Sequence, residues 1–187
     1  MRKRQMWRTN LVAVTLGLAL LLMLPGPSAA RTAAEINAGV NAALAKFTKV
    51  KGSTDLLRIA KGVLVFADVV KAGAGIGGEF GEGALRIRGK TVGYYSFASA
   101  SVGLQLGVQR KDIIIVFLQD QALREFRASE GWQVGVDGSI VLVDVGAQGS
   151  IDTTKLNKPI VGFVVGQKGL MYNLTLEGSK ITKLPPK

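Results

Sequence analysis

The chain has 187 residues, and its 24 Lys and Arg against 13 Asp and Glu give a net charge of +11. It has no cysteine and no histidine, which excludes disulfides, a Cys nucleophile, a Ser-His-Asp triad and a His-based zinc site. A basic surface favours anionic partners such as lipid head groups, polyanionic glycans or nucleic acid; a merely soluble basic protein is the alternative. Neither a cofactor nor a metal site is indicated.

Residues 1–30 have the pattern of a secretory signal peptide. Basic residues crowd the first eight positions, residues 11–24 are almost entirely apolar, and Ser28-Ala29-Ala30 supplies the small residues that a signal peptidase requires. The apolar run of about 14 residues is short for a membrane span, and an uncleaved anchor is the alternative interpretation. Cleavage after Ala30 would leave 20 of the 24 basic residues and all 13 acidic ones, a net charge of +7. We expect an exported protein, periplasmic or secreted, with a single domain at residues 31–187 and no nucleic-acid partner.

The spacing of apolar residues predicts an amphipathic helix over residues 32–50. Thr32 and Glu35 have the spacing of a capping box at its start. A second short helix, capped by Ser53 or Thr54, is predicted to run to residue 61. The apolar face of the first helix consists of Ile36, Val40, Leu44 and Phe47.

From residue 62 the pattern changes to strands. A short apolar run at 63–66 precedes a glycine-dense stretch at 72–83, and a helix is predicted near 120–129, with Ala122, Leu123 and Phe126 on one face. Asp137-Gly138 and residues 167–169 are predicted hairpin turns. Further β-branched and aromatic runs occur at 91–95, 102–108, 113–118, 133–136, 139–145, 160–165 and 170–176.

This order of elements predicts an α+β fold with a curved, glycine-rich antiparallel sheet, partly closed in the manner of a barrel. Two helices would precede the sheet and one would lie between strands. Residues 73–78 contain a GxGxxG spacing, but no helix pattern follows it, so a bent and tightly packed sheet explains the glycines better than nucleotide binding does. Glu79 and Glu82 could form a carboxylate pair for acid-base chemistry, although a solvated face is the favoured interpretation.

Basic residues cluster near the two N-terminal helices and again near a predicted turn at Gly89-Lys90. A basic amphipathic helix is typical of membrane-surface binding, so these residues are the candidate lipid-binding set. The apolar helix face either packs on the sheet or faces lipid, and the sequence leaves both interpretations open. The set is Lys46, Lys49, Lys51, Arg58, Lys61, Arg86, Arg88 and Lys90.

Eight segments stand out in order along the chain: 60–66 (AKGVLVF), 71–79 (KAGAGIGGE), 93–96 (GYYS), 98–105 (ASASVGLQ), 126–129 (FRAS), 131–132 (GW), 135–138 (GVDG) and 169–172 (GLMY). Together they resemble the SYLF-domain family. Residues 95–184 resemble the region that the actin-binding yeast members share.

The resemblance implies a non-enzymatic, lipid-binding protein. Eukaryotic members bind phosphoinositides through basic residues and an N-terminal amphipathic helix, and some yeast members bind actin. An exported protein would not meet cytoplasmic actin, so the expected partner is a membrane lipid of the cell envelope, bound through its anionic head group or through its acyl chain. The alternative is a structural or protein-interaction module of the periplasm with no specific lipid.

Overall fold

The computed structural model describes residues 30–143, 151, 156–166, 169–170 and 176–186. The predicted signal peptide up to residue 29, the turn residues 167–168 and residues 171–175 of the last predicted strand lie outside this description. The described residues form an α+β structure with three helices and a curled, seven-stranded sheet that makes a half-barrel. The predicted fold class is therefore confirmed.

The first helix, α1, spans Ala33–Phe47 and begins with the predicted capping box. The Thr32 hydroxyl accepts a hydrogen bond from the Glu35 amide at 3.3 Å, and the Glu35 carboxylate accepts one from the Thr32 amide at 2.7 Å. These bonds satisfy amide donors that the start of a helix leaves unpaired, so the local sequence sets where α1 begins. The buried residues of α1 are Ile36, Val40, Ala43 and Phe47.

The second helix, α2, spans Ser53–Ile59 and starts differently from the prediction. Neither Ser53 nor Thr54 is its N-cap, because Gly52 occupies that position with a φ of 86°. The Ser53 hydroxyl instead donates to the Val50 carbonyl oxygen at 2.6 Å. The turn between the two helices therefore depends on a glycine in the left-handed region and not on a hydroxyl cap.

Two long strands, β1 (Gly62–Ile87) and β2 (Lys90–Phe117), form one antiparallel hairpin. The prediction of several short strands is wrong here, since both strands continue through their glycines. The turn lies at Arg88 and Gly89, whose φ angles are 51° and 79°. Positive φ at both turn residues matches the right-handed twist of the strands, and the predicted turn is confirmed to within one residue.

The hairpin folds back on itself at its glycine-rich middle, so the two halves of β1 lie against each other. Gly83 packs against Val65 and Phe66, and Gly81 packs against Val69. A Cβ atom at position 83 would overlap the Val65 carbonyl oxygen, and one at position 81 would come within 2.8 Å of a Val69 methyl group. Only glycine allows two backbones to approach this closely, which gives the predicted bent, tightly packed sheet its physical cause.

The remaining elements are α3 (Asp120–Ala128), β3 (Gly131–Gln133), β4 (Val141–Leu142), β5 (Ile160–Gly166), β6 (Gly169–Leu170) and β7 (Lys180–Lys183). The rest of the sheet is built around β2, with the strand order β3-β7-β2-β5-β4; β1 pairs with β2, and β6 pairs with β5. β4 and β5 are parallel, so the sheet is mixed and not purely antiparallel.

The predicted hairpin at Asp137-Gly138 is wrong. The amides of Val136 and Asp137 both donate to the Gln133 carbonyl oxygen in a tight turn, but β3 pairs with β7 and β4 pairs with β5. A turn signal reports only local backbone geometry, whereas strand pairing is decided by the surrounding sheet.

At the C-terminal strands, one predicted hairpin is confirmed, and one strand was not predicted. Gly166 pairs with Gly169 in antiparallel register, which confirms the predicted hairpin after β5. The sequence analysis does not predict β7, because Ile181 is its single apolar residue among polar neighbours. A short strand with one buried side chain carries too little periodicity to be recognised.

Side chains of the central strands fill two cores, one on each face of the sheet. Because these strand segments are buried on both faces, their sequences are continuous apolar runs without alternation. The core toward α3 contains Leu64, Phe66, Ile113, Ile115, Phe117 and Phe126, and the core toward α1 contains Val63, Val65, Ile114, Val116 and Phe47.

We expect Gly83→Ala to lower the free energy of unfolding by about 3 kcal/mol or more, because the added methyl group has no space beside the Val65 carbonyl. Gly78→Ala in the same strand is the matched control, since its Cβ atom would meet only the Ser99 carbonyl oxygen at an ordinary 3.7 Å. Urea unfolding of both variants measures the difference. Equal stability of the two variants would show that the halves of β1 do not pack this closely.

Candidate lipid-binding surface

The apolar face of α1 is buried against the sheet. Ile36, Val40 and Phe47 are each at most 1% exposed, and Leu44 is half-buried. The Phe47 ring lies 4.9 Å from the Phe163 ring of β5. Of the two interpretations that the sequence left open, the structure has the one in which this face packs on the sheet. Lipid contact through it would require α1 to leave the sheet.

Lys46 is paired with a buried carboxylate of β2. Its Nζ lies 2.8 Å from Oδ2 of Asp112, whose side chain is 5% exposed, and Oδ1 of Asp112 accepts a hydrogen bond from the Asp68 amide at 2.9 Å. The hydrogen bond with Asp112 raises the pKa of Lys46 and outweighs the lowering effect of desolvation. Lys46 therefore fastens the C-terminal end of α1 to the sheet.

The other predicted cations near α1 and α2 are exposed. The Arg58 guanidinium lies 3.8 Å from Asp55, and the Lys61 Nζ lies 3.7 Å from Asp120. Exposed ion pairs of this length contribute little free energy, so both side chains remain available to other anions. Lys49 and Lys51 have no carboxylate at ion-pair distance among the residues that the structure describes.

The second predicted group surrounds the β1–β2 turn and lies beside α1. The Arg86 guanidinium donates to the side-chain oxygens of Asn41 at 2.9 Å and Asn37 at 3.2 Å, and so ties the turn to the middle of α1. Arg88 and Lys90 are exposed, and neither has a carboxylate partner in the described part of the chain. Arg86 thus holds the turn against α1, whereas Arg88 and Lys90 are exposed cations without a carboxylate partner among the described residues.

Exposed cations therefore border α1 in two places. Lys49 and Lys51 follow the last residue of the helix, and Arg88 and Lys90 flank Gly89 at the turn that Arg86 ties to α1. We call Lys49, Lys51, Arg88 and Lys90 the α1-border cations. Of the eight predicted lipid-binding residues, these four combine exposure with the absence of a carboxylate partner among the described residues.

A buried charge cluster that the sequence analysis missed lies where the hairpin doubles over. Oε2 of Glu79 is 2.7 Å from the Lys111 Nζ, and Oε1 is 3.6 Å from the Lys71 Nζ. The side chains of Glu79 and Lys111 are only 8% and 6% exposed. The favoured interpretation of Glu79 as part of a solvated face is therefore wrong. The available signal was a pair of charged residues, Lys111 and Asp112, directly before the apolar run that ends β2.

Glu82 is buried separately from Glu79. It is 6% exposed, and its Oε2 accepts a hydrogen bond from the backbone nitrogen of Arg31 at 2.9 Å. Residues three apart in a strand point to opposite faces, so Glu79 and Glu82 do not converge on one reacting group. The interpretation of the two residues as an acid-base pair therefore has no geometric support.

The described part of the chain contains no group of three or more acidic residues placed to hold a metal ion. None of the described helices is both long enough and apolar enough to cross a membrane.

Residues 98–185 match the family described as Las17-binding protein actin regulator, Ysc84. This match is consistent with the resemblance to the SYLF-domain family. SYLF domains are lipid-binding and actin-regulating modules and are not known as enzymes. No curated protein matches the chain.

The SYLF match begins within β2 and includes α3 and the strands from β3 to β7. It does not include α1, α2 or β1. Every predicted lipid-binding residue, from Lys46 to Lys90, therefore precedes the matched SYLF region. Their role has to be judged from geometry and charge.

We expect Lys111→Met to lower the free energy of unfolding by about 3–5 kcal/mol, because it leaves Glu79 buried without its nearest cation. The double variant with Glu79→Leu should recover most of this loss, since it buries two apolar groups and no charge. Urea unfolding of the two single variants and the double variant completes the cycle. Additive losses would contradict coupling between the two charges.

The raised pKa of Lys46 predicts a pH-dependent part of the stability. Because the folded-state pKa lies above 10.5, the pairing with Asp112 is fully stabilising below pH 10.5 and is lost as the pH rises through the folded-state pKa. The stability difference between wild type and Lys46→Met should thus stay constant near neutral pH and shrink above pH 10.5. Lys49→Met, at an exposed lysine without a carboxylate partner in the described chain, is the control for urea unfolding at each pH.

Proposed function

We propose that this protein is a non-enzymatic lipid-binding protein of the cell envelope that holds anionic head groups with the α1-border cations. The observation that carries the proposal is that these four side chains are exposed and lack carboxylate partners among the described residues. A cation held by a buried carboxylate, as Lys46 is, gains little from a new anion, whereas a cation without a partner gains the full attraction. Membership of a family with lipid-binding members supports the same conclusion.

Charge makes anionic lipid the favoured ligand class. Residues 31–187 carry 20 basic and 13 acidic residues, and each Lys or Arg near an anionic surface contributes about 1 kcal/mol. Four such residues would give about 4 kcal/mol, enough for reversible binding that weakens as salt is added. Lys46 and Arg86 contribute less in this mechanism because both are engaged within the fold.

The burial of the α1 apolar face restricts how the protein would meet a membrane. Phe47 and Val40 are fully buried, so an intact domain presents α1 through its polar side and its bordering cations. The proposed contact is therefore electrostatic adsorption at the head-group level and not insertion of the helix into the acyl region. Opening of the helix from the sheet is not needed.

The proposed location follows from the N-terminal signal. Residues 1–30 would direct the chain to the periplasm or out of the cell, with the domain peripheral to a membrane. At that location the protein would meet the anionic surface of envelope phospholipid and would not meet cytoplasmic actin.

A protein-interaction role is the second candidate. The family description names a protein-binding actin regulator, and the matched residues 98–185 lie outside the α1-border cations. In this alternative the C-terminal half of the sheet would bind a protein of the periplasm and no lipid. A single stoichiometric partner recovered from native extract, together with the absence of copurified lipid, would support it.

We expect Lys49→Gln with Lys51→Gln to weaken binding to vesicles of phosphatidylglycerol and phosphatidylcholine by about 2 kcal/mol, roughly 30-fold. The matched control is Arg124→Gln with Arg127→Gln on α3, which removes the same charge from two exposed residues on the opposite face of the sheet. Co-sedimentation over a series of anionic lipid fractions and salt concentrations measures the effect.

The control variant should bind nearly as well as wild type. Equal weakening of both variants would mean that only net charge matters and would overturn the assignment to the border of α1. Indifference of wild type to both salt and anionic lipid would overturn the head-group mechanism altogether.

A further inference from the structure

The backbone nitrogen of Arg31 is held at a buried carboxylate. It donates to Oε2 of Glu82 at 2.9 Å, and Glu82 is 6% exposed. The Arg31 side chain fixes this position from both sides, because its guanidinium donates to the Ala67 carbonyl oxygen at 3.3 Å and to the Glu35 carbonyl oxygen at 3.2 Å. The nitrogen therefore sits between the start of α1 and strand β1.

The same nitrogen belongs to the peptide bond at the predicted cleavage site of the signal peptide. Ser28 and Ala30 are the small residues of the predicted cleavage site, which places the bond between the Ala30 carbonyl carbon and the Arg31 nitrogen. Hydrolysis adds one water: the Ala30 carbonyl becomes a carboxylate, and the Arg31 nitrogen leaves as an amine that takes up a proton. The neutral amide at Glu82 would become an ammonium group.

We propose that cleavage between Ala30 and Arg31 is a maturation step that turns this hydrogen bond into a buried ion pair between the new α-ammonium group and Glu82. The proposal rests on the export proposed above. Both donors would bond the same buried carboxylate, but the ammonium group adds a full positive charge beside it, so the new terminus would hold the start of α1 to β1 more firmly than the amide does. The precursor is then the less stable form, and the domain gains this stability only after export.

The gain in stability requires cleavage at the bond between Ala30 and Arg31 and not at a neighbouring bond. A terminus at residue 28 would carry its charge three residues away and leave an amide at Glu82. The compact unit that includes all described helices and strands begins at Arg31, so cleavage here removes nothing from the fold.

The ion pair predicts a pH signature on the alkaline side. An α-amino group has an unperturbed pKa of about 8, and a buried carboxylate beside it favours the charged form. Among the described residues, the charged groups at this terminus are Glu82 of β1, which accepts from the nitrogen, Glu35 of α1, which accepts from the Thr32 amide, and the guanidinium of Arg31 itself. The stabilisation is thus complete at neutral pH and is lost as the pH rises through the folded-state pKa of the amine.

Thermal unfolding of two lipid-free proteins, residues 31–187 and residues 28–187, tests the proposal. We expect the protein that starts at Arg31 to unfold about 3–6 °C higher at pH 7, and we expect the difference to disappear by about pH 10. Glu82→Gln in both proteins should abolish the difference. Equal unfolding temperatures of the two wild-type forms would overturn the ion pair, and this comparison needs no substitution that could prevent folding.

The intact mass of the protein recovered from an exporting host gives the second test. A mature chain that begins at Arg31 is expected, and any other start would overturn the maturation step. Because both measurements are made without lipid, their failure would leave the vesicle-binding result standing. A failure of vesicle binding would equally leave the ion pair intact.

Discussion

The β1–β2 hairpin doubles over, and the two halves of β1 then approach each other so closely at Gly81 and Gly83 that no side chain fits between their backbones. This contact determines which side chains of the two strands meet around it. It brings the Phe97 ring to 5.5 Å from the Phe66 ring inside the core toward α3, and it carries Glu79 over Lys111. A long hairpin that stayed open would expose both cores, so the glycines let one pair of strands build most of a half-barrel.

The carboxylates that this doubling buries are each matched by a group from a distant segment. Lys46 reaches Asp112, and the Arg31 nitrogen reaches Glu82, so α1 is fastened near both ends with its apolar face between. A misplaced helix would separate these buried carboxylates from their donors, which is costly because a buried charge that loses its partner keeps its desolvation penalty. The charges therefore fix where α1 sits, and this is why its apolar face belongs to the core.

Fixing α1 in this way separates the structural cations from the free ones. Lys46 and Arg86 hold the helix and the turn in place, and the α1-border cations remain exposed beside them. The SYLF match covers the C-terminal strands and α3 of this protein, whereas the proposed lipid contact lies on its N-terminal elements. The predicted export signal, the basic composition and the buried helix face are the grounds for the proposed reversible adsorption to an anionic membrane.

The sequence by itself determined the α+β class, the start of α1, the residues of α3 and the hairpin turn near Gly89, because capping boxes, helical periodicity and turn residues act over a few positions. It also identified the cations as a group. Only the tertiary structure decided that the glycine-rich stretch is one continuous strand, that Glu79 and Glu82 are buried apart, and which cations remain free. These outcomes depend on contacts between residues more than 25 positions apart, as between Glu79 and Lys111, and on space that only a glycine leaves. A local pattern carries no information about such contacts, because the same charged residue in a strand is solvated or buried according to what folds over it.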